Sequence, residues 1–595
     1  MVIHACCCFF VSPHSHSLKK NASGTSSAAC LPHQSSILLQ LKAEFTFQKP
    51  TDDVNDTYPK MKYWNTEGDV SDCCLWDGIS CDTATGHVTA IDLSSSWLYG
   101  PLTSNSSLFM LLHLHKLNFA FNNFASCTIP SEFSKLSRLT YLNLSSSVFS
   151  GHIPYVISRL TNLVVLDLSV GTSTTDGYLY VRQGQLGRLI TQNMTNLRQL
   201  YLDGTNLSSP VLEFFGNLSS LTHLSLQKCY LFGELPKNIF LQLPNLQFMD
   251  LSRNYDLKGK LPDSIGNLKS LELLDLRYCN FSGIVPPSFW NLSQLSKFSL
   301  AHNHFNGQLP HTIGNLAKLT EFSLLDNHFS GGLPSSLGNL RQLNYLTLGY
   351  NNFSGEVPTS LGNLTQLIYL DLSYNSFSGH ISSVLGNHTQ LKHLYLLYNR
   401  FTGRIPSSLE KFTQLENLFL SSNLLDGELP VSFPHTIKII YLDSTGLTGS
   451  ILSTSIANLT FLYDLVLSSN SFTGVIPWSL FELPCLDSLS LDYNQFTGSL
   501  NISSNSSSPL TYLSLIGNKL GGVPSSVSKL TMLTELYLSF NDFSGTLDFG
   551  IFSALSSLEY LDLSNNRNLS ITSTTTTKST PQFALFTFVL MQQYY

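Results

Sequence analysis

The sequence predicts an α/β solenoid: a curved right-handed superhelix with a parallel β-sheet on its concave face and 3-10 turns, short helices or irregular segments on its convex face. Three observations carry this. The first apolar residue of an LxL triplet recurs at Leu274, Phe298, Phe322, Leu346, Leu370, Leu394 and Leu418, each 24 residues after the last. The same mark falls earlier at Ile91, Leu117, Leu142, Leu166, Leu200, Leu224 and Met249, and later at Ile440, Leu465, Leu489, Leu513, Leu536 and Leu561, giving about twenty repeats over 91–570. Hydrophobic residues make up 43 % of the 595 and charged residues 12 %, about half the usual share of charge, which is enough to fill a long continuous core. Repetition overrides the several-domain prior that such a length would otherwise set.

The elements follow in chain order. Residues 1–29 read as a possible leader: Ala5–Val11 is a short apolar run, and Ser27-Ala28-Ala29 has the small-residue form of a cleavage site. Residues 30–90 hold Cys30, Cys73, Cys74 and Cys81 beside Trp76. This grouping predicts a disulfide-bonded cap in an oxidising compartment. A zinc site is the weaker alternative, because CxxC pairs are missing. Four cysteines allow three pairings, and spacing alone leaves all three open.

Within a repeat every position has a physical role, as Leu346–Leu364 illustrates. Leu346 and Leu348 alternate with Thr347, so both leucines point inward from a short strand. Asn351 ends the strand, where an inward amide can satisfy backbone groups at the turn and form a ladder with its stacked copies. Phe353 returns to the core, Gly355 permits a tight bend, and Val357-Pro358 opens the outer side, from which Leu361 and Leu364 point back in. A period in the twenties with LxxLxLxxN is the leucine-rich-repeat signature. The fold class is therefore an α/β leucine-rich-repeat solenoid, whose units bury their apolar faces only by stacking. Twenty strands at about 4.8 Å make a surface on the order of 90 Å long. Cys229 and Cys279 stand at the ladder position and read as small buried substitutes with a weak thiol donor. A longer spacing between Leu166 and Leu200 marks an insertion near 169–199, and residues 571–595 read as a disordered non-repeat tail.

The repeat LxLxxNxFSGxIPxxLGNLxxL resembles the plant-specific leucine-rich repeat of cell-surface receptors. CLPHQSSILLQLKAEF with YWNTEGDVSDCCLWDGISCDTATGHVTAIDLSSS is similar to the N-terminal cap of that family, and RLITQNMTNLRQLYLDGTNLSS is similar to plant receptor-like proteins, the kinase-less members. The resemblance covers about Cys30–Ser570. It implies Cys30–Cys73 and Cys74–Cys81 disulfides and packing of Trp76 in the cap. Members of the family continue into an island insertion, final repeats, a cysteine cap and one transmembrane helix. Here the repeats end at LDLSNNRNLS, and Phe583–Leu590 is far short of the roughly 20 apolar residues a spanning helix needs. The chain therefore reads as a shortened form, membrane-attached only if a longer form supplies the helix.

Catalytic motifs are missing: GxxxxGK[ST], HExxH and GxSxG do not occur in a suitable context, and Asp548-Phe549-Gly550 sits in a repeat turn. No enzyme activity, cofactor or metal is expected. Asp250, Asp275 and Asp371 recur between strand leucines as repeat consensus, and His302 and His304 read as surface histidines without a carboxylate partner. A net charge of −7 gives no footprint for nucleic acid. Sequons at Asn105, Asn217, Asn291, Asn363, Asn387 and Asn458 agree with secretion or the outer side of the plasma membrane.

The outward strand positions hold the expected recognition surface. Tyr345, Tyr350, Tyr369, Asp371, Tyr374, His393, Tyr395, Tyr398 and Phe419 cluster over about four repeats, and Gly349 also reads as outward. Aromatic groups give large contact area at low entropic cost, and the patch suits a short extended peptide or a protein loop. The family resemblance implies recognition of a microbial or developmental ligand and signalling through a partner receptor kinase acting as co-receptor. The other readings are a secreted inhibitor resembling polygalacturonase-inhibiting proteins and a non-signalling decoy.

Overall fold

The computed structural model describes residues 28–50, 57–66, 71–171, 178–181, 194–210, 218–381, 388–456, 458–502, 508–572 and 585–587. Each of the twenty LxL marks falls inside a short strand, from Val88–Asp92 to Tyr560–Asp562. Neighbouring strands pair in parallel and strictly in register, Leu346 opposite Leu370 and Leu370 opposite Leu394. Ile79–Cys81 closes the N-terminal edge by pairing antiparallel with Val88–Asp92. Register is fixed because a slip by one residue would turn every strand leucine out to solvent.

Outside the strand, each coil bends at the ladder position. The Asn351 amide nitrogen donates to the carbonyls of Leu324 (2.8 Å), Leu348 (3.2 Å) and Gly349 (3.0 Å), and its oxygen accepts the Phe329 N–H at 3.0 Å. Four backbone groups from two coils are thereby satisfied by one side chain. Asn303, Asn327, Asn375, Asn399 and Asn423 repeat the pattern. Cys229 and Cys279 hold their expected places: their thiols donate to Leu202 O at 3.1 Å and Leu251 O at 3.3 Å.

Beyond the ladder lies an element that the repeat pattern does not predict. Segments such as Asn352–Glu356 pair in parallel into a second, 15-stranded sheet running from Phe232–Glu234 to Asn568–Thr572. Gly355 turns this strand outward at φ +80°, a value that favours glycine. Pro358 then caps a 3-10 turn, Thr359–Asn363, whose Leu361 is wholly buried. Proline suits that place because it presets φ and the missing N–H is not needed there.

The cap contains an α-helix, Pro32–Ala43, and both implied disulfides, Cys30–Cys73 and Cys74–Cys81. Trp76 is buried and stacks on Trp64 at 5.5 Å. All four sulfurs are consumed in pairs, which leaves no thiolate there for zinc. At the other end, Leu585–Thr587 pairs in parallel with Tyr560–Asp562. These three residues, expected in a disordered tail, add a further strand to the inner sheet, with Phe586 in register opposite Leu561. The rest of 573–595 and the leader, residues 1–27, lie outside the described residues, as do most of the 169–199 insertion and Asn217 and Asn387. Asn105, Asn291, Asn363 and Asn458 are exposed. No helix among the described residues is long and apolar enough to cross a membrane.

Candidate ligand-binding surface

The aromatic residues form two rows rather than one patch. Positions just before and just after the central strand leucine face away from the core, because side chains alternate along a strand. Tyr345 and Tyr369 stand before it, and Tyr395, Phe419 and Tyr441 after it. Their rings follow one another at 6.2 Å (Tyr345–Tyr369), 5.2 Å (Tyr369–Tyr395), 4.7 Å (Tyr395–Phe419) and 4.7 Å (Phe419–Tyr441). Tyr441, absent from the sequence-derived set, occupies the position equivalent to Phe419 one coil on. Extending the same register by one repeat finds it. Its phenol donates to Asp464 at 2.5 Å, which fixes the end of the row. His393 lies 5.7 Å from Tyr369, and burial lowers its pKa, which favours the neutral ring.

The second row lies at the turn, on the residue before the ladder asparagine. Tyr350, Tyr374 and Tyr398 adopt φ values of 51°, 51° and 53°. This left-handed backbone costs a bulky residue about 1–2 kcal/mol, and the ladder amides hold it in place. The rings stack at 4.0 Å and 4.4 Å, with interplanar angles of 15° and 18°. Tyr345, Tyr350 and Tyr398 are 37 %, 40 % and 49 % exposed. Burial, then the neighbouring Tyr350 hydroxyl, holds the Tyr374 phenol above its usual range, so the central ring of the stack keeps its proton. Upstream the row continues with Tyr278 stacked on His302 at 4.1 Å. His302 Nδ1 pairs with Asp326 Oδ2 at 2.9 Å. His302 therefore does have a carboxylate partner, supplied by the next coil 24 residues away, which proximity in sequence conceals.

Two expected contact residues are not available. Asp371 is only 8 % exposed and its carboxylate accepts the Ser373 N–H at 2.9 Å, so it is part of the frame. Gly349 is buried beneath it: a Cβ there would lie 2.9 Å from Asp371 Oδ2. The glycine is the space that the aspartate occupies. Asp250 and Asp275 behave like Asp371, each accepting the N–H two residues on, at 2.8 Å and 3.0 Å. They serve the strand-to-turn transition, as their recurrence predicts. Lys297 and Glu321, which precede the aromatic rows on the same face, neutralise each other at 2.7 Å. The surface so assembled offers stacked rings and phenol hydroxyls, without a net charge of its own.

Comparisons with known proteins agree with this architecture. A family model described as leucine rich repeat N-terminal domain matches residues 31–82, and leucine rich repeat models match 219–281 and five successive stretches between 294 and 412. Receptor-like protein 6 of Arabidopsis thaliana is 42 % identical over 263 residues, 43 % of this chain and 26 % of its own length. The receptor-like protein Cf-9 homolog of Solanum lycopersicum is 36 % identical over 223 residues, 36 % of this chain and 24 % of its own. The matches thus span about a quarter of these curated relatives. Among solved structures, the Arabidopsis receptor kinase HAESA, in complex with the peptide hormone IDA and the co-receptor SERK1, superposes with a TM-score of 0.74 at 30 % identity, covering 90 % of each chain. The plant peptide hormone receptor RGFR1 with RGF2 gives 0.65 at 28 % identity and 84 % of each.

Proposed function

We propose, for a chain that belongs with the plant leucine-rich-repeat receptor-like proteins, that it is an extracellular recognition domain binding an extended peptide or a loop of a protein ligand. The ligand lies across the two aromatic rows of the inner face. The observation that carries this reading is the continuity of the rows: eight aromatic rings span the coils from Tyr345 to Tyr441, above a ladder of asparagine amides that holds the turns in register. Rings held in stacks lose little entropy on binding, and their exposed edges and hydroxyls suit a peptide backbone. Two receptor ectodomains of like architecture are peptide-hormone complexes, one of them with a co-receptor, and they support the peptide class of ligand. A partner receptor kinase then converts binding into a signal, in defence or development.

Tyr345→Ala, Tyr369→Ala and Tyr395→Ala combined in one variant test the reading. Peptides selected from a random display library by the wild-type chain are expected to lose about tenfold or more in affinity, as removal of interface hot spots does. The variant should keep its circular dichroism spectrum. Undiminished binding by the folded variant would overturn the assignment of the ligand surface.

A further inference from the structure

A cavity of about 640 Å³ opens several repeats before the aromatic rows, on the edge where the chain enters the inner strands. Its lining includes the polar side chains of His115, Arg138, Thr140, Asn162, Asn196 and Arg198. These residues stand two or four positions before the central strand residue of four successive coils. The row at four positions before that residue reads His87, His113, Arg138, Asn162, Asn196.

The row is internally tied but not neutralised. His87 and His113 lie 3.9 Å apart, ring to ring, and Arg138 Nη1 donates to His113 Nδ1 at 3.0 Å. Asn162 donates to Ser137 O and Asn196 to Thr161 O, one coil back in each case. Among the described residues no carboxylate lines the cavity, and neither Arg138 nor Arg198 forms an ion pair. Burial first, then the neighbouring His87, Arg138 and His115, push the His113 imidazole down, which leaves its Nδ1 free to accept from Arg138. Like charges gathered without a counter-charge leave a positive potential focused in a cleft.

We propose that this cavity is a second binding site, for an acidic peptide segment whose carboxylates reach Arg138 and Arg198. Guanidinium forks match carboxylates in shape and in hydrogen-bond geometry. The two arginines belong to strands two spacings apart, about 10 Å across the sheet, and their further offset of two positions along the chain is within the span of their long side chains. That matches acidic side chains three residues apart on one face of a polyproline-II-like chain, whose rise is about 9 Å over three residues. The site rests on its own charges and is independent of the aromatic rows.

The probe is a fluorescent peptide, Asp-Pro-Pro-Asp-Pro-Pro-Asp, titrated against the full chain, with the Asn-for-Asp peptide and inorganic sulfate as comparisons. The acidic peptide is expected to bind, with affinity falling about tenfold in Arg138→Gln and again in Arg198→Gln, and falling with added salt. Both arginines are exposed, so the variants should retain the wild-type melting temperature. Tyr345→Ala should bind the acidic peptide as wild type does, which separates this site from the aromatic surface. Equal affinity for the Asn peptide, or unchanged affinity in both arginine variants, would overturn the proposal. Sulfate binding as tightly as the peptide would overturn the peptide as the ligand.

Discussion

Asn351 answers four backbone groups with one amide, and no smaller side chain can answer them all. Replacing it with Ala leaves the Phe329 N–H without its acceptor in a buried turn, and takes one donor from each of three carbonyls that keep a second, from Asn327, Asn375 and the Asp326 N–H. Each unsatisfied group costs about 1–3 kcal/mol, so Asn351→Ala should destabilise its coils by about 2 kcal/mol or more. Asn351→Cys should lose less, because Cys229 and Cys279 already fill the place with one thiol donor. Hydrogen exchange at Phe329 and its neighbours would rank the two variants. The ladder was legible in the sequence from the recurring asparagine alone. Gly349 was not, since its reason is the Asp371 carboxylate lying over it from the next coil.

Buried carboxylates on the inner face set a pH dependence at the same scale. Burial first, then the charge of Asp250, pushes Asp203 up to about 7, against hydrogen bonds from Ser225 and the Gln227 N–H. Unfolded, the same carboxyl titrates near 3.9. The folded state therefore holds a proton that the unfolded chain has released, and the stability this group contributes is full below about pH 4 and lost as pH rises through 7. Asp203→Asn removes that titration. The melting-temperature advantage of wild type over the variant should be larger at pH 5 than at pH 8. An advantage that grows with pH would reverse the sign of the argument.

A single coil is an element made of three parts: a strand, a second short strand beyond the ladder, and a 3-10 turn behind proline. The first and last were readable, because LxL alternation and the VP dipeptide each carry a local physical reason. The second strand was not, since segments such as NFSGE lack apolar alternation and pair only because the preceding turns hold them in line. Division of the aromatic residues into two rows has the same origin. Tyr345 and Tyr350 are five residues apart in sequence, but one stands on the strand and the other on a left-handed turn. The tyrosines of the turn row pack mainly on each other, which predicts a local effect: Tyr374→Ala removes both ring contacts at once. Quenching or near-ultraviolet dichroism of the tyrosines should change more for Tyr374→Ala than for Tyr398→Ala, which breaks one.

Over the whole molecule, the twenty repeats are one continuous core, and its N-terminal end is closed by a cap pinned through two disulfides. The Cys30–Cys73 bridge spans 43 residues. Removing such a native bridge costs about 2–5 kcal/mol, so Cys30→Ser with Cys73→Ser should free the Pro32–Ala43 helix to proteolysis before the repeats melt. The register of the repeats was legible from Ile91 to Leu561, because stacking imposes the same pattern on every coil, whereas the added strand Leu585–Thr587 was not. The carboxylate partner of His302 and the cationic cavity were not, since both arise from contacts between coils 24 or more residues apart. The central claim is that recognition takes place across the aromatic rows of the inner face. Photo-cross-linking tests it most directly, using a display-selected peptide that carries a benzophenone, with the attachment sites mapped by mass spectrometry. Cross-links are predicted within 345–350, 369–374, 393–398, 417–419 and 441. Cross-links concentrated on the 3-10 turns, such as Thr359–Asn363, or on the second sheet would contradict it.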